Sequence, residues 1–178
     1  QSDKTVSTNF DVRDYGAVGG GEQIDTDGLQ AAIDACHANN GGTVNIPPGI
    51  YRSGTLYLNS NINLHLQAGA VIRGTGERDA YNADNIFSEN QVFASENTTG
   101  AHLIIAYRAE NVSITGTGAI AVNGRFFFKS LPESEKTPSY RIKYRDYPIR
   151  DWRPSQMIFF CRCRNVIVRD VSLVNAPY

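Results

Sequence analysis

At 178 residues the chain is long enough for one domain with a true core, and 41% apolar with 20% charged residues is the balance of an ordinary globular protein. A net charge of −1 gives the whole chain no electrostatic reason to seek nucleic acid or a membrane surface, and no apolar run approaches the ~18 residues that cross a bilayer. Three cysteines, Cys36, Cys161 and Cys163, make no disulfide framework, so packing must hold the fold.

FDVRDYGAV, residues 10–18, alternates and ends near a glycine, and reads as an opening strand. GGGEQIDTDG follows as a polar turn, with Asp25 or Thr26 available to cap a helix. Leu29, Ala32, Ile33 and Cys36 then fall on one helical face. That predicts an amphipathic helix over about 26–40, stopped by Asn39-Asn40-Gly41-Gly42. Short strands fill the remainder: 43–46, 55–58, 62–66, 70–72, 103–106, 112–114, 119–122, 157–160, 166–168 and 171–174. Pro47-Pro48-Gly49 ends the first, because proline gives the ladder no N–H, and turns the chain onward.

One unit recurs. NINLHL from Asn61, NVSITG from Asn111 and NVIVRD from Asn165 each open on asparagine, carry branched apolar residues two apart, and follow a separate apolar strand. The asparagines are 50 and 54 residues apart, which at common repeat lengths reads as two coils each plus loop. Apart from Asn40-Gly41 at the helix stop, Asn123-Gly124 is the one Asn-Gly dipeptide, and so few hairpin-type turns favour a solenoid over a β-sandwich. The expected architecture is an all-β parallel β-helix, one domain over 1–178, with the helix covering the apolar end of its first coil.

Candidate chemistry is sparse. Cys161 and Cys163, two apart in a strand-like run, would share a face, and without a second pair they suggest buried thiols rather than a metal site. His65 alternates with Leu64 and Leu66 and points outward; His37 lies on the helix and His102 begins a strand, all in structural or surface roles. Asp25, Asp27, Asp34, Asp79, Asp84 and Asp170 are scattered over a cap, a helix face, a loop and a turn. Asn97-Thr98-Thr99 and Asn111-Val112-Ser113 match glycosylation sequons, although Asn111 already has a role as the turn asparagine.

The most suggestive stretch is YRIKYRDYPIRDWR, residues 140–153, with four arginines and one lysine against two aspartates, hence +3, interleaved with aromatics. Arg141, Lys143, Arg145, Trp152 and Arg153, with Tyr178, are the candidate substrate-binding residues. Arginine pairs bidentately with carboxylates, and aromatic faces suit sugar rings. The competing reading is a solvated loop whose aromatics pack on the flank of the solenoid.

Taken together, FDVRDYGAV, DTDGLQAAIDAC, GGTVNIPPGIY, SGTLYLNSNINLHLQAGAVIRG, ENVSITGTGAI and RNVIVRDVSLVNAP resemble the N-terminal portion of glycoside hydrolase family 28. This family comprises the polygalacturonases and related rhamnogalacturonan-cleaving enzymes. GGTVNIPPGIY by itself is also similar to the first coils of pectate-lyase-type and tailspike β-helices. The resemblance implies a right-handed parallel β-helix and metal-free, cofactor-free, inverting hydrolysis of galacturonic-acid-containing polysaccharide by paired aspartates. It also implies a pectin or galacturonan partner from the plant cell wall and a secreted or periplasmic location, with no nucleic acid and no membrane.

Departures bear on the chemistry. Where the family carries an Ile-Asp-Gly-x-Gly-like turn, this chain reads Ile120-Ala121-Val122-Asn123-Gly124, and Phe126-Phe127-Phe128 stand where a tryptophan is common. The family's Asn-Thr-Asp, Asp-Asp and Gly-His-Gly signatures follow its Asn-x-Pro segment, here Asn175-Ala176-Pro177, so no catalytic residue is assigned before Tyr178. They are expected beyond it, in further coils or on a second chain. Arg141-Ile142-Lys143 spells the family's last signature but lies upstream of that segment and takes no catalytic role. The insertion at 125–153 is suited to closing one end of a groove, which would favour exo cleavage. Two alternatives stay open: a non-catalytic β-helix that binds polysaccharide or assembles with a partner chain, and a calcium-dependent lyase on the same architecture.

Overall fold

The computed structural model describes residues 8–90, 92, 98–127 and 152–176. The chain winds through three parallel sheets. The first contains β1 (Asn9–Asp11), β3 (Gly42–Ile46), β6 (Ile62–Leu66), β9 (Glu110–Gly116) and β12 (Arg164–Val168), in that spatial order. The second contains β2 (Gly20–Ile24), β4 (Gly49–Ser53), β7 (Ala70–Gly74), β10 (Ala119–Ala121) and β13 (Ser172–Val174). The third contains β5 (Leu56–Leu58), β8 (Ile104–Tyr107) and β11 (Ile158–Cys161). Each strand hydrogen-bonds to its counterpart one coil away, which makes a right-handed parallel β-helix.

Period-two alternation sets what points inward. Val44, Leu64 and Ile114 stack in register inside the first sheet, each fully buried. In the first coil α1 (Thr26–Ala38) occupies the place of a third-sheet strand, and Leu29, Ala32, Ile33 and Cys36 are buried against the core, as the helical spacing predicts.

The asparagine unit has a physical basis. Asn61, Asn111 and Asn165 each sit at positive φ, at 63°, 55° and 53°, in the turn into the first sheet. Asn tolerates that conformation better than most residues. Their amides form a ladder: Asn111 Nδ2 donates to Asn61 Oδ1 at 2.8 Å, and Asn165 Nδ2 to Asn111 Oδ1 at 3.0 Å.

Several expectations require correction. The spacings of 50 and 54 residues are one coil each, because β6, β9 and β12 are immediate neighbours; segments 75–103 and 122–157 make up the extra length. The 10–18 strand is only Asn9–Asp11, followed by a 3-10 turn at Val12–Tyr15. The supposed turn at 20–24 is β2, and Gly49–Ser53 is a further strand. Asp25 makes no side-chain cap to α1. Its carboxylate accepts from the backbone N–H of Val18 at 2.8 Å and Gly19 at 3.1 Å, and from Gln23 Nε2 at 3.1 Å, tying down the preceding loop. Cys161 and Cys163 do not share a face. β11 ends at Cys161, Arg162 turns at φ 54°, and the Cys163 thiol reaches back to the Ala106 carbonyl at 3.3 Å.

Candidate functional site

The outer face of the second sheet gathers chemistry that its strands, taken separately, do not announce. In β4 the buried residues are Tyr51 and Ser53; in β7 they are Ala70, Ile72 and Gly74. Arg52 and Arg73 therefore project outward. They are register partners, one above the other on neighbouring strands about 4.8 Å apart. Ala121 and Val174 continue the column.

The two arginines differ in engagement. Arg52 donates Nη1 to the Glu22 carbonyl and Nη2 to Thr75 Oγ1 at 3.4 Å, and faces the largely exposed Glu77 carboxylate at 3.7 Å. That ion pair is weak by separation and exposure. Arg73 has no side-chain partner among the described residues and is half-buried beside Arg52. An unpaired guanidinium supported by a second one is an anion-binding arrangement, and its planar fork favours carboxylates.

Beside β7 stands an aromatic wall. Phe126 is 44% exposed, and its ring lies so close to Gly76 that a Cβ there would meet it at 2.1 Å. Phe126 meets Phe127 edge-on at 5.4 Å, Phe127 meets Trp152 at 4.9 Å, and Trp152 meets Tyr81 at 5.1 Å. Trp152 Nε1 donates to the Gly76 carbonyl at 3.2 Å, and the Arg78 guanidinium lies over its ring at 5.6 Å. Burial pushes the Tyr81 hydroxyl pKa up, and that hydroxyl donates to the Thr75 carbonyl at 2.9 Å. Trp152 thus braces the wall, with its polar edge already used.

Of the residues proposed from sequence, Trp152 stands in this wall and Arg153 is only 5% exposed, its carbonyl accepting from the Thr99 N–H at 3.1 Å and hydroxyl at 2.8 Å. Arg141, Lys143, Arg145 and Tyr178 lie outside the described residues. Sequence reasoning missed Arg52 and Arg73. GIYRS and AVIRG, 21 residues apart, each carry arginine fourth, but the two become partners only when β4 and β7 lie side by side.

The carboxylates nearest the wall are committed. Asp84 takes Arg78 Nη2 at 2.9 Å and the Gly100 N–H at 2.7 Å, and Glu77 faces Arg52. Among the described residues no cluster of three or more His, Cys, Asp or Glu could hold a metal ion. His65 is outward and partly exposed, as expected, with Nδ1 at 2.9 Å from Thr115 Oγ1. The face combines guanidinium groups with an exposed aromatic ring, a composition complementary to an acidic, ring-bearing ligand, and carries no assigned acid or base.

Comparison with known proteins sets this geometry in context. The model of the family described as rhamnogalacturonase A/epimerase, pectate lyase-like matches residues 9–125. The exo-poly-alpha-D-galacturonosidase of Dickeya chrysanthemi is 30% identical over 119 residues, covering 65% of this chain and 19% of that protein. The mannuronan C5-epimerase AlgE3 of Azotobacter vinelandii is 47% identical over 62 residues, covering 30% of this chain and 3% of that protein. Among solved structures, the family 28 exopolygalacturonase of Yersinia enterocolitica superposes with a TM-score of 0.69 at 25% identity, over 96% of this chain and 35% of its own. The exopolygalacturonase of Thermotoga maritima shares the fold with a TM-score of 0.67 at 24% identity, over 95% of this chain and 42% of its own. The chain spans about a fifth of the Dickeya protein and about a third of the Yersinia enzyme.

Proposed function

Because the chain belongs to the rhamnogalacturonase A/epimerase, pectate lyase-like family and is similar to exopolygalacturonases, we propose that it holds a galacturonan-type acidic polysaccharide along the outer face of its second sheet, as part of a pectin-degrading, inverting glycosidase acting outside the cytoplasm. The observation that carries this reading is the register pair Arg52–Arg73 on the outer face of the second sheet, both half-buried, with the 44% exposed ring of Phe126 against Gly76 just past β7. A polyuronate offers one carboxylate per sugar and one apolar ring face, which match a guanidinium and an aromatic edge.

In this reading Arg73 takes the carboxylate, Arg52 reinforces the positive field, and Phe126 limits where the ring can lie. Inverting hydrolysis asks for two carboxyl groups about 6.5–9.5 Å apart, one protonating the leaving oxygen and one activating water. No described residue is assigned either role. The contribution of these coils is binding and positioning.

Equilibrium binding of polygalacturonate to the protein and its Arg73→Gln variant tests the site. Loss of one charge-assisted contact should weaken binding by about tenfold, and salt should weaken the unmodified protein's binding more than the variant's. Equal affinities, or equal salt slopes, would remove Arg73 from the site.

A second reading is favoured by the similarity to the Azotobacter epimerase: an acidic polysaccharide held in the same way but epimerised rather than cleaved. The products separate the chemistries. Hydrolysis creates reducing ends without an ultraviolet-absorbing double bond, a lyase creates both, and epimerisation leaves chain length unchanged. If cleavage is hydrolytic, release of only mono- or disaccharides would support exo action, and a ladder of long oligomers would exclude it.

A further inference from the structure

The third sheet carries its own depression. Tyr57 of β5, Ile105 of β8 and Phe159 of β11 form one outward column, and the segment around Phe87 lies across them. Tyr57, Asn59, Ile86, Phe87, Ile105 and Tyr107 line a cavity of about 220 Å³. That is below the roughly 300–1,000 Å³ of pockets for drug-sized ligands and suits a single ring.

One wall is fixed in advance. Phe87 stacks on Tyr107 at 4.4 Å and 10°, and on Phe159 at 5.6 Å and 21°; Phe159 stacks on the buried His102 at 4.3 Å and 13°. The other side is open and unfinished. Tyr57 is 38% exposed, burial of part of its ring pushes its hydroxyl pKa up, and neither that hydroxyl nor the Asn59 amide has a partner among the described residues. A ligand with hydroxyls would meet two free hydrogen-bonding groups across an apolar floor.

Charge narrows the ligand. Arg108 is exposed with its guanidinium over the Tyr107 ring at 5.0 Å, and it has no carboxylate partner among the described residues. The nearby Glu89 is neutralised by Arg162 and accepts from the Tyr107 hydroxyl at 3.3 Å. One uncompensated positive charge therefore stands beside an aromatic cavity with two free polar groups.

We propose that this cavity is a second sugar site, on a different sheet from the Arg52–Arg73 face, and that it takes one uronic-acid pyranose unit. The apolar ring face lies against Tyr57 and the Phe87–Tyr107 wall, hydroxyls meet Asn59 and the Tyr57 hydroxyl, and the carboxylate meets Arg108. A neutral hexose would leave Arg108 unused; a purely apolar ligand would leave Asn59 and Tyr57 unpaired. This assignment rests on the acidic-polysaccharide reading above. A polymer engaged on two sheets at once would gain avidity without any new contact at the first.

The test is titration of the ¹⁵N-labelled protein with trigalacturonate, followed by amide shifts and by calorimetry. The variants are Tyr57→Ala, Arg108→Gln and the double variant Arg52→Gln/Arg73→Gln. We expect shifts at residues 57–60 and 105–108 that persist in the double variant, vanish in Tyr57→Ala, and need about tenfold more ligand in Arg108→Gln. Galactotriose, the uncharged counterpart, should move these amides at least about tenfold more weakly. Shifts confined to the Arg73 face overturn the second site and leave the first reading standing. Shifts confined to the Tyr57 cavity support the second site and remove the first. An equal response to galactotriose overturns the uronate assignment. Arg108→Gln is an exposed change, so loss of the fold in Tyr57→Ala would not stop it from deciding the outcome.

Discussion

His102 illustrates how much a single residue can hold. It is 1% exposed, stacked on Phe159, with Nδ1 3.2 Å from the Gln156 carbonyl and Nε2 2.8 Å from Asn90 Oδ1, two acceptors of which the neutral ring donates to one. Asn90 in turn donates to the Asp84 and Gly100 carbonyls, both at 2.8–2.9 Å, so the imidazole ties the 84–100 segment to β11. Burial lowers its pKa from 6.5 to about 4, while the Gln156 carbonyl pulls the other way. Between those values the unfolded chain binds a proton that the folded one refuses. The contribution of the neutral ring to stability is therefore full above about pH 6.5 and falls as pH drops towards 4. The expected loss is on the order of 2 kcal/mol, discounted for the polar groups around the ring. Urea unfolding at several pH values, together with an NMR titration of the imidazole, checks this. An imidazole that titrates near 6.5 with no change in stability would contradict it.

At the scale of elements, α1 shows tertiary contact overruling local preference. Gly28 lies in its first turns, where alanine ordinarily gains about 1 kcal/mol over glycine. Here a Cβ would meet the Ala17 backbone nitrogen at 2.4 Å and the Gly16 carbonyl carbon at 2.8 Å. Neither atom is the end of a flexible side chain. Gly28→Ala is therefore expected to destabilise by about 1–3 kcal/mol, against the propensity scale, and a lowered urea midpoint with unchanged m-value is the readout. A gain in stability would mean that the 16–17 loop gives way easily. The same contest explains what sequence could reveal. α1 was readable because its buried residues keep helical spacing, and Ile62–Leu66 because its burial alternates. β2 was not, since GGEQI lies at the sheet's end and buries none of its residues, leaving no pattern to detect. In β4 the inward side chains are one tyrosine and one serine, too little apolar signal after Pro-Pro. Arg52 and Arg73 stayed hidden for the same reason, because their pairing exists only once β4 and β7 are set side by side.

Across the whole molecule, a solenoid couples each coil to its neighbours and little further. The repeat was visible in Asn61, Asn111 and Asn165, yet its period was misjudged because long segments sit inside single coils without disturbing the stack. Nearest-neighbour coupling also makes the cost of a substitution depend on the coil. Val112 and Val166 are register partners on the inward side of the first sheet. Val112 lies between coils and is fully buried, whereas Val166 is 37% exposed in the last described coil, near Val168 at 41% and Leu173 at 50%. Val112→Ala should cost about 2 kcal/mol, from lost transfer energy and a cavity that neighbouring coils cannot close. Val166→Ala should cost about 1 kcal/mol or less, since water already reaches it and no enclosed cavity forms. Paired urea curves decide the point. Equal costs would show that residues past Val174 cover Val166 in solution as fully as β12 covers Val112. The proposed binding face should not register the Val166 change: Arg52 and Arg73 belong to earlier coils, so polygalacturonate affinity is expected to be the same in Val166→Ala as in the unmodified protein. A change there would mean that the coils act as one cooperative block rather than a stack of neighbours.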